Sequence, residues 1–279
     1  CSSDLYPSAV ARYEQRRVYG GTNANPNFIF FSKINDEEDF APTQDDKTVL
    51  DTDGISYGIS NVNAAISWIS ASTDLIIGTS QGLFRLVPNQ YSAAVSPRTV
   101  RIELLDEIGC DKAGVLAGTS LFFPNDSGTE LLEFKFDADI QSGTTDDVAK
   151  FIYPTFVKDK IKKVEFQNNP QPRVWVLTES GLLYVMTYHR QENFYAWSKQ
   201  ETNGTVADIT VLRKGYDSDI DQFWITVKRG SRHYQERLFS EVDSATEPTF
   251  YLDNAIKVLN FDIGAHHADR KSTRLNSSH

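Results

Sequence analysis

With 279 residues, 40% of them hydrophobic and 12% aromatic, the chain is long enough to bury a large core as one or two domains. The formal charge of −10, from 38 acidic against 28 basic residues, argues against tight binding to a phosphate backbone, which needs clustered Lys and Arg to displace counterions. It suits a wall along which nucleic acid slides without sticking. Two cysteines, Cys1 and Cys110, are too few for a disulfide framework or a zinc site and fit synthesis in a reducing compartment. The sequence shows no signal peptide and no apolar run near the roughly 20 residues of a membrane span.

In chain order, the sequence opens at Cys1 without a methionine and reads as a piece of a longer protein. RRVYGGTNANPNFIFFS (16–32) reads as a first strand–turn–strand unit. Asp45, Asp46, Asp51 and Asp53 follow as an exposed acidic loop, with no His or Glu to complete a metal shell. AAISWIS (64–70) is a strand, and DLIIGTSQGLFRLV (74–87) is a hairpin. Inside that hairpin, Gly78-Thr79-Ser80-Gln81-Gly82 spells G-x-S-x-G. A hydrolase elbow needs a helix after the turn, and LFRLV predicts a strand, so the hairpin reading prevails.

TSLFFPNDSGTELLEFKF (119–136) is the next hairpin, and one short helix is expected over 145–152, capped by Thr145 and stopped by Pro154. IKKVEFQ (161–167) is a strand beside Lys158, Lys160, Lys162 and Lys163, a run that reads as a solvated strand edge rather than a phosphate contact. RVWVLTESGLLYVMTY (173–188) is a third hairpin, followed by NFYAWSK (193–199), whose Tyr195 and Trp197 are expected in the core rather than stacked on a sugar or base. VADITVL (206–212) precedes a fourth hairpin, DQFWITVKRGSRHYQERLF (222–239). Asp217, Asp219 and Asp221 alternate as in a calcium loop. Gln222 and Lys228 stand where such a loop needs Gly and Glu, so a solvated turn is expected.

The turn glycines Gly82, Gly128, Gly181 and Gly230 stand 46, 53 and 49 positions apart. Each is expected to supply the positive φ of a tight hairpin. That spacing matches a propeller blade of roughly 40–50 residues. Runs such as VWVL lack alternation, as in sheets covered on both faces. The expected fold is therefore all-β, an irregular β-propeller-like domain of about four to six antiparallel blades over residues 1–264. A β-sandwich pair is the competing fold. Residues 265–279 are set apart as a tail. Its last ten residues, Arg270 to His279, resemble a translated sequencing-adapter read-through, and without them 25 basic residues face 38 acidic ones, a charge of −13. A basic natural tail is the alternative.

The stretch from Tyr6 to Phe40 resembles the opening of the propeller region in the tail nozzle (tail tubular protein B) family of short-tailed bacteriophages. The pattern is carried by Pro7 and Val10, then Tyr13, Gln15 and Arg16, a Gly20-Gly21-Thr22 turn, Pro26, Ser32 and Phe40. Further matching positions are Gly82, Trp175, Gly181, Trp197 and Arg237, the last within QERLF, while YLDNA (251–255) resembles the point where the family leaves this domain. The resemblance covers about residues 5–260, and family members are longer.

It implies a structural role for these residues, no catalysis and no cofactor. It also implies a virion tail protein made in the bacterial cytoplasm. The implied partners are further copies of the chain in a hexameric ring, a tail adaptor and tail fibres, with genomic double-stranded DNA passing through without specific binding. Two other function classes stand beside it: a propeller glycan hydrolase or lyase, and a propeller that recognises glycan or peptide.

Overall fold

Short apolar runs separated by polar turns form strands here because β-branched and aromatic residues fit a pleated, half-buried surface. In the computed structural model, described for residues 6–59, 64–71, 74–88, 94–137, 142–189, 194–214 and 220–238, they build five antiparallel sheets. The first sheet is β1 (Pro7–Tyr13), β2 (Arg16–Thr22), β3 (Phe28–Phe31) and β4 (Ile55–Gly58), paired in chain order. The second is β5 (Ile66–Ala71), β6 (Leu75–Thr79), β7 (Gly82–Pro88) and β8 (Val100–Asp106). The third is β9 (Val115–Ala117), β10 (Ser120–Pro124), β11 (Leu131–Asp137) and β12 (Ser142–Asp147). A helical turn, α1 (Tyr153–Lys158), leads to β13 (Ile161–Gln167), β14 (Arg173–Thr178), β15 (Leu183–His189) and β16 (Phe194–Gln200). The fifth sheet has three described strands, β17 (Thr205–Leu212), β18 (Gln222–Arg229) and β19 (Arg232–Arg237).

Each sheet is a meander, and successive sheets stack face on face. β1 and β2 lie against β5, β8 against β12, β9 and β10 against β13, and β13 and β14 against β17. Four apolar clusters fill these junctions, among them Ile29, Phe31, Leu75 and Ile77 between the first two sheets. Phe122, Phe156, Val176 and Tyr188 join the third to the fourth. Covering on both faces explains the unbroken apolar runs: every residue of β6 and of β10 is buried. β19, on the outermost described sheet, is exposed along nearly its whole length. The fold is all-β and propeller-like, and the five blades among the described residues fall within the four to six that the hairpin spacing predicts.

Three local expectations are corrected. Residues 142–147 form β12 and not a helix, since Thr144 and Thr145 pair with Lys135 and Phe134 of β11. The helix lies later, and Pro154 sits in its first turn, where the missing N–H has no intrahelical partner to lose. Gly20, Gly21 and Thr22 end strand β2 instead of forming a turn. Gly21 has φ +67° and interrupts the β1–β2 ladder opposite Ser8, and a Cβ there would strike the Ile66 carbonyl of the next blade. Gly128, Gly181 and Gly230 take positive φ, but Gly82 does not. Gly82 pairs with Thr79 as the first residue of β7, and an added Cβ would lie 2.9 Å from the Asp106 carbonyl oxygen.

The chain divides after Phe239, and the boundary read after residue 264, the tail and YLDNA all lie outside the described residues. No helix among the described residues is long and apolar enough to cross a membrane.

Candidate functional site

The first blade gathers most of the residues that the opening motif singles out. Arg16 begins β2 with its side chain 1% exposed. Its Nη1 donates to the carbonyl oxygens of Ser32 and Asp53, both at 2.6 Å, and its Nη2 to that of Asp51 at 2.7 Å. A planar guanidinium reaches three carbonyls at once because its donors fan out in a fixed fork. Burial lowers the Arg16 pKa, and the nearby charges of Glu14 and Asp53 act the other way. Ser32, also buried, closes the arrangement by accepting the Arg17 N–H at 3.0 Å. The group therefore fastens the long β3–β4 connection onto the blade.

Asp53 departs from the exposed acidic loop expected of it. It is fully buried, and its carboxylate accepts the Leu50 N–H at 2.8 Å and the Gln44 side-chain amide. Asp45, Asp46 and Asp51 are exposed as expected. Phe40 stacks on Tyr19 with centroids 5.3 Å apart. Thr22 accepts the Asn25 N–H, and the Pro26 carbonyl accepts the Ile66 N–H at 2.8 Å, joining blade one to blade two.

At the tip of β1–β2, Glu14 and Gln15 both have positive φ, 47° and 61°. Such values close a two-residue hairpin but are strained for residues with a Cβ. Glu14 reaches across to accept the Val95 N–H of blade two at 2.6 Å. Arg12, Tyr13, Gln15, Asn35 and Glu37 rim a cavity of about 440 Å³ there. Burial raises the Tyr13 pKa to about 12, with the charges of Glu14 and Asp74 adding to it.

A second cavity, about 490 Å³, lies where the ends of the first strands of blades two to five converge. Ser70 and Ala71, Gly114 to Leu116 with Gly118, Glu165 and Phe166, and Val211 and Arg213 line it. Glu165 pairs with Lys163 at 3.4 Å, and burial outweighs that neighbour to hold its pKa above the usual carboxylate value. The Arg213 guanidinium sits 5.8 Å from the Phe166 ring centroid. An acid, a cation and an aromatic face around one cavity can hold a small polar ligand.

The other motif residues are dispersed through the stack. Trp175 stacks on Phe223 at 3.9 Å and donates to Gln167, fixing blade four on blade five. Gly181, at φ +87°, admits the Val206 backbone of blade five. Trp197 donates to the Val148 carbonyl at 3.1 Å, and Tyr195 donates to Glu133 at 2.6 Å, so both serve the core as expected. Arg237 pairs opposite Trp224 in the ladder of β18 with β19. β13 is an edge strand of its sheet with Lys162 exposed, as expected of the lysine run, and Lys162 and Lys163 also donate to the β17 backbone at Ala207 and Ile209.

Asp217 and Asp219 lie outside the described residues. Asp221 is buried, not solvated, and accepts the N–H groups of Asn168, Asn169 and Lys214. Ser80 of the G-x-S-x-G lies in a strand–turn–strand hairpin. The nearby Cys110 thiol is pushed by burial up to about 12. No cluster of metal-ligating side chains occurs among the described residues.

Sequence reasoning missed Glu133, Glu165 and Arg213. Glu133 is fully buried and takes hydrogen bonds from Tyr188 at 3.0 Å and Tyr195. A lone acid inside the apolar run LLEFKF was its one available signal.

No family model matches the chain, and no curated protein matches it. Among solved structures, it is similar to a luciferin-regenerating enzyme at 9% identity and a TM-score of 0.42, over 84% of this chain and 73% of that one. It is also similar to an auxiliary nutrient binding protein of Bacteroides thetaiotaomicron VPI-5482, at 9% identity and a TM-score of 0.43, over 78% of this chain and 52% of that one.

Proposed function

We propose that the chain is a structural piece of a virion tail, a propeller block of the nozzle through which a short-tailed phage passes its genome. The observation that carries this reading is the use made of the opening motif. Arg16 and Ser32 spend their polar groups on backbone partners within blade one, and Gly21 and Pro26 join blade one to blade two. Residues that define a rigid block in this way suit a part that must hold its shape under load. In this reading the blocks repeat around a ring by one head-to-tail contact, which closes when the rotation closes. An adaptor and fibres meet the ring's outer surfaces, and the acidic balance keeps the DNA path from binding.

Electron microscopy of the full-length parent protein tests this. Closed rings with a channel wide enough for duplex DNA are the expected result, and monomers at high concentration, alone and with the adaptor, would overturn it.

A second reading, a recognition propeller, rests on the cavity bounded by Glu165, Phe166 and Arg213. It predicts a monomer that takes up a small polar ligand and loses it when Arg213 is replaced by alanine. Titration calorimetry against a panel of sugars and short peptides separates the two.

A further inference from the structure

The segment between blades three and four carries the most exposed large apolar side chain described in the chain. Phe151 is 87% exposed, and Tyr153 and Val157 beside it are 41% and 47% exposed. This exposure does not come from loose packing. Phe156 of α1 is fully buried, edge-on to Tyr184 at 5.6 Å and to Trp197 at 5.8 Å, and it pins the helical turn to blade four. With Phe156 inward, Tyr153 and Val157 are held outward. Lys150, Lys158 and Lys160 stand exposed around them, and Lys150 lies 5.7 Å from the centroid of the Phe151 ring. No acidic side chain among the described residues lies within salt-bridge distance of any of the three, and the one carboxylate that feels them is Asp147, on which the Lys150 charge acts. An anchored, protruding aromatic with a rim of cations has the form of an interface hot spot.

The same chain carries the complement on another blade. The β3–β4 connection, residues 33–53, holds eight acidic residues against Lys33 and Lys47, a net −6 within a chain of −10. Glu37 is committed to Arg12 and Arg17, Asp39 to Lys33, and Asp53 is buried. Asp36, Glu38, Asp45, Asp46 and Asp51 remain exposed, and Leu50 is 50% exposed among them. The Arg16 clamp fixes this connection in place, so it too is presented on a rigid base. The knob belongs to the junction of blades three and four and the acidic loop to blade one, so neither satisfies the other within its own chain.

We infer that the basic–aromatic knob of one copy, Lys150, Phe151, Tyr153, Val157, Lys158 and Lys160, docks on the acidic 33–53 loop of a second copy. This rests on the ring reading and names the surfaces that make the ring. Two different patches meet, so each bound pair leaves one free knob and one free loop, and the contact repeats head to tail. Opposite local charge steers the encounter and sets the register, while Phe151 and Leu50 supply the apolar burial.

The test couples lysine amines directly to carboxylates with a zero-length carbodiimide, in an equal mixture of 15N-labelled and unlabelled full-length protein. The expected products are mixed-isotope links from Lys150, Lys158 or Lys160 to Asp36, Glu38, Asp45, Asp46 or Asp51. The triple variant Lys150→Glu, Lys158→Glu, Lys160→Glu loses them and needs at least tenfold more protein to assemble. Adding Glu38→Lys and Asp45→Lys to that variant restores assembly. Circular dichroism matching wild type shows that all of these exposed changes leave the fold intact.

If wild-type rings form and the triple variant forms them equally well, the docking surfaces are wrong and the ring reading stands. If wild type yields neither rings nor mixed links, both fall. If the knob lysines govern binding to phosphatidylglycerol vesicles or to duplex DNA while no mixed links form, the second copy is the wrong occupant.

Discussion

Replacing Arg16 by alanine removes one side chain and strands three carbonyl oxygens, those of Ser32, Asp51 and Asp53. A hydrogen bond to a charged group contributes about 1.5–3 kcal/mol, and a buried acceptor left unpaired costs about 1–3 kcal/mol. Recovering the desolvation of a buried cation offsets part of that loss. With water reaching the Asp51 carbonyl more readily than the other two, the net cost is about 3–5 kcal/mol. For a unit of this size, that lowers the melting temperature by about 10 °C.

Arg16→Lys keeps the charge but not the fork, and about half of the loss is expected. Hydrogen exchange locates the effect: amides of residues 33–54 lose protection in the alanine variant before those of β13–β15 do. Unfolding within about 0.5 kcal/mol of wild type, or an exchange change spread evenly over all blades, would refute the clamp.

Asp221 is expected to matter nearly as much. Burial opposes its ionisation, but three backbone N–H donors and the Arg213 charge outweigh it and hold its pKa below the usual value of 3.8. Its stabilisation is therefore complete above that value and lost as pH falls through the folded pKa. Asp221→Ala should cost about 2–4 kcal/mol at neutral pH and flatten the acid limb of the stability curve measured by urea unfolding.

Glu165 has the opposite sign. Burial raises its pKa above 4.5, so its contribution is present below that value and fades as pH rises through the folded pKa. The melting temperature of Glu165→Gln should gain on wild type between pH 4 and neutrality, and a constant difference would sink the argument. Tyr188 and Tyr195 are both held above the ordinary tyrosine value by burial, with Glu133 adding to it. In an ultraviolet alkaline titration of the folded protein they should ionise later than exposed tyrosines. Substituting both by Phe should cost less than the sum of the single changes, because they share one carboxylate.

The hairpins, and through them a range of four to six blades, were legible because a hairpin is a local object. Its two strands and its turn lie within some 16 residues, and apolar runs with a glycine between them report all three. The stacking was legible only through its consequence, the loss of alternation in β6, β10 and β14. Gly82 was misread because glycine marks two different needs. Gly181 takes a left-handed φ, whereas Gly82 leaves room for the Asp106 carbonyl, and sequence does not distinguish them. Thr145 and Pro154 fit a capped and terminated helix by local rules, but Leu132 and Phe134 of the neighbouring strand drew the segment into a sheet. Arg16 is the limiting case. Nothing local marks it as buried, because its acceptors lie 16, 35 and 37 residues away. The cavity lined by Glu165, Phe166 and Arg213 gathers residues from four blades and was beyond reach for the same reason.

Apolar packing between blades is strong but carries little direction, so sheets stacked by it alone could slide or rotate. Each junction adds a directional polar contact inside or beside the apolar cluster. Ser8 donates to the Ile66 carbonyl at 2.5 Å, and Glu14 accepts the Val95 N–H, between blades one and two. Thr145 of β12 donates to the Asp106 carboxylate at the end of β8, between two and three. Tyr188 and Tyr195 meet Glu133 between three and four. Gln167 donates to the Asp221 carbonyl at 3.2 Å between four and five.

A misplaced blade would leave these groups buried and unpaired, at a cost of about 1–3 kcal/mol each. Correct stacking thus becomes a distinct energetic choice, and not one of several near-equal ones. Such contacts recur at each of the four blade junctions among the described residues, so each pair of neighbouring blades has its own polar register lock.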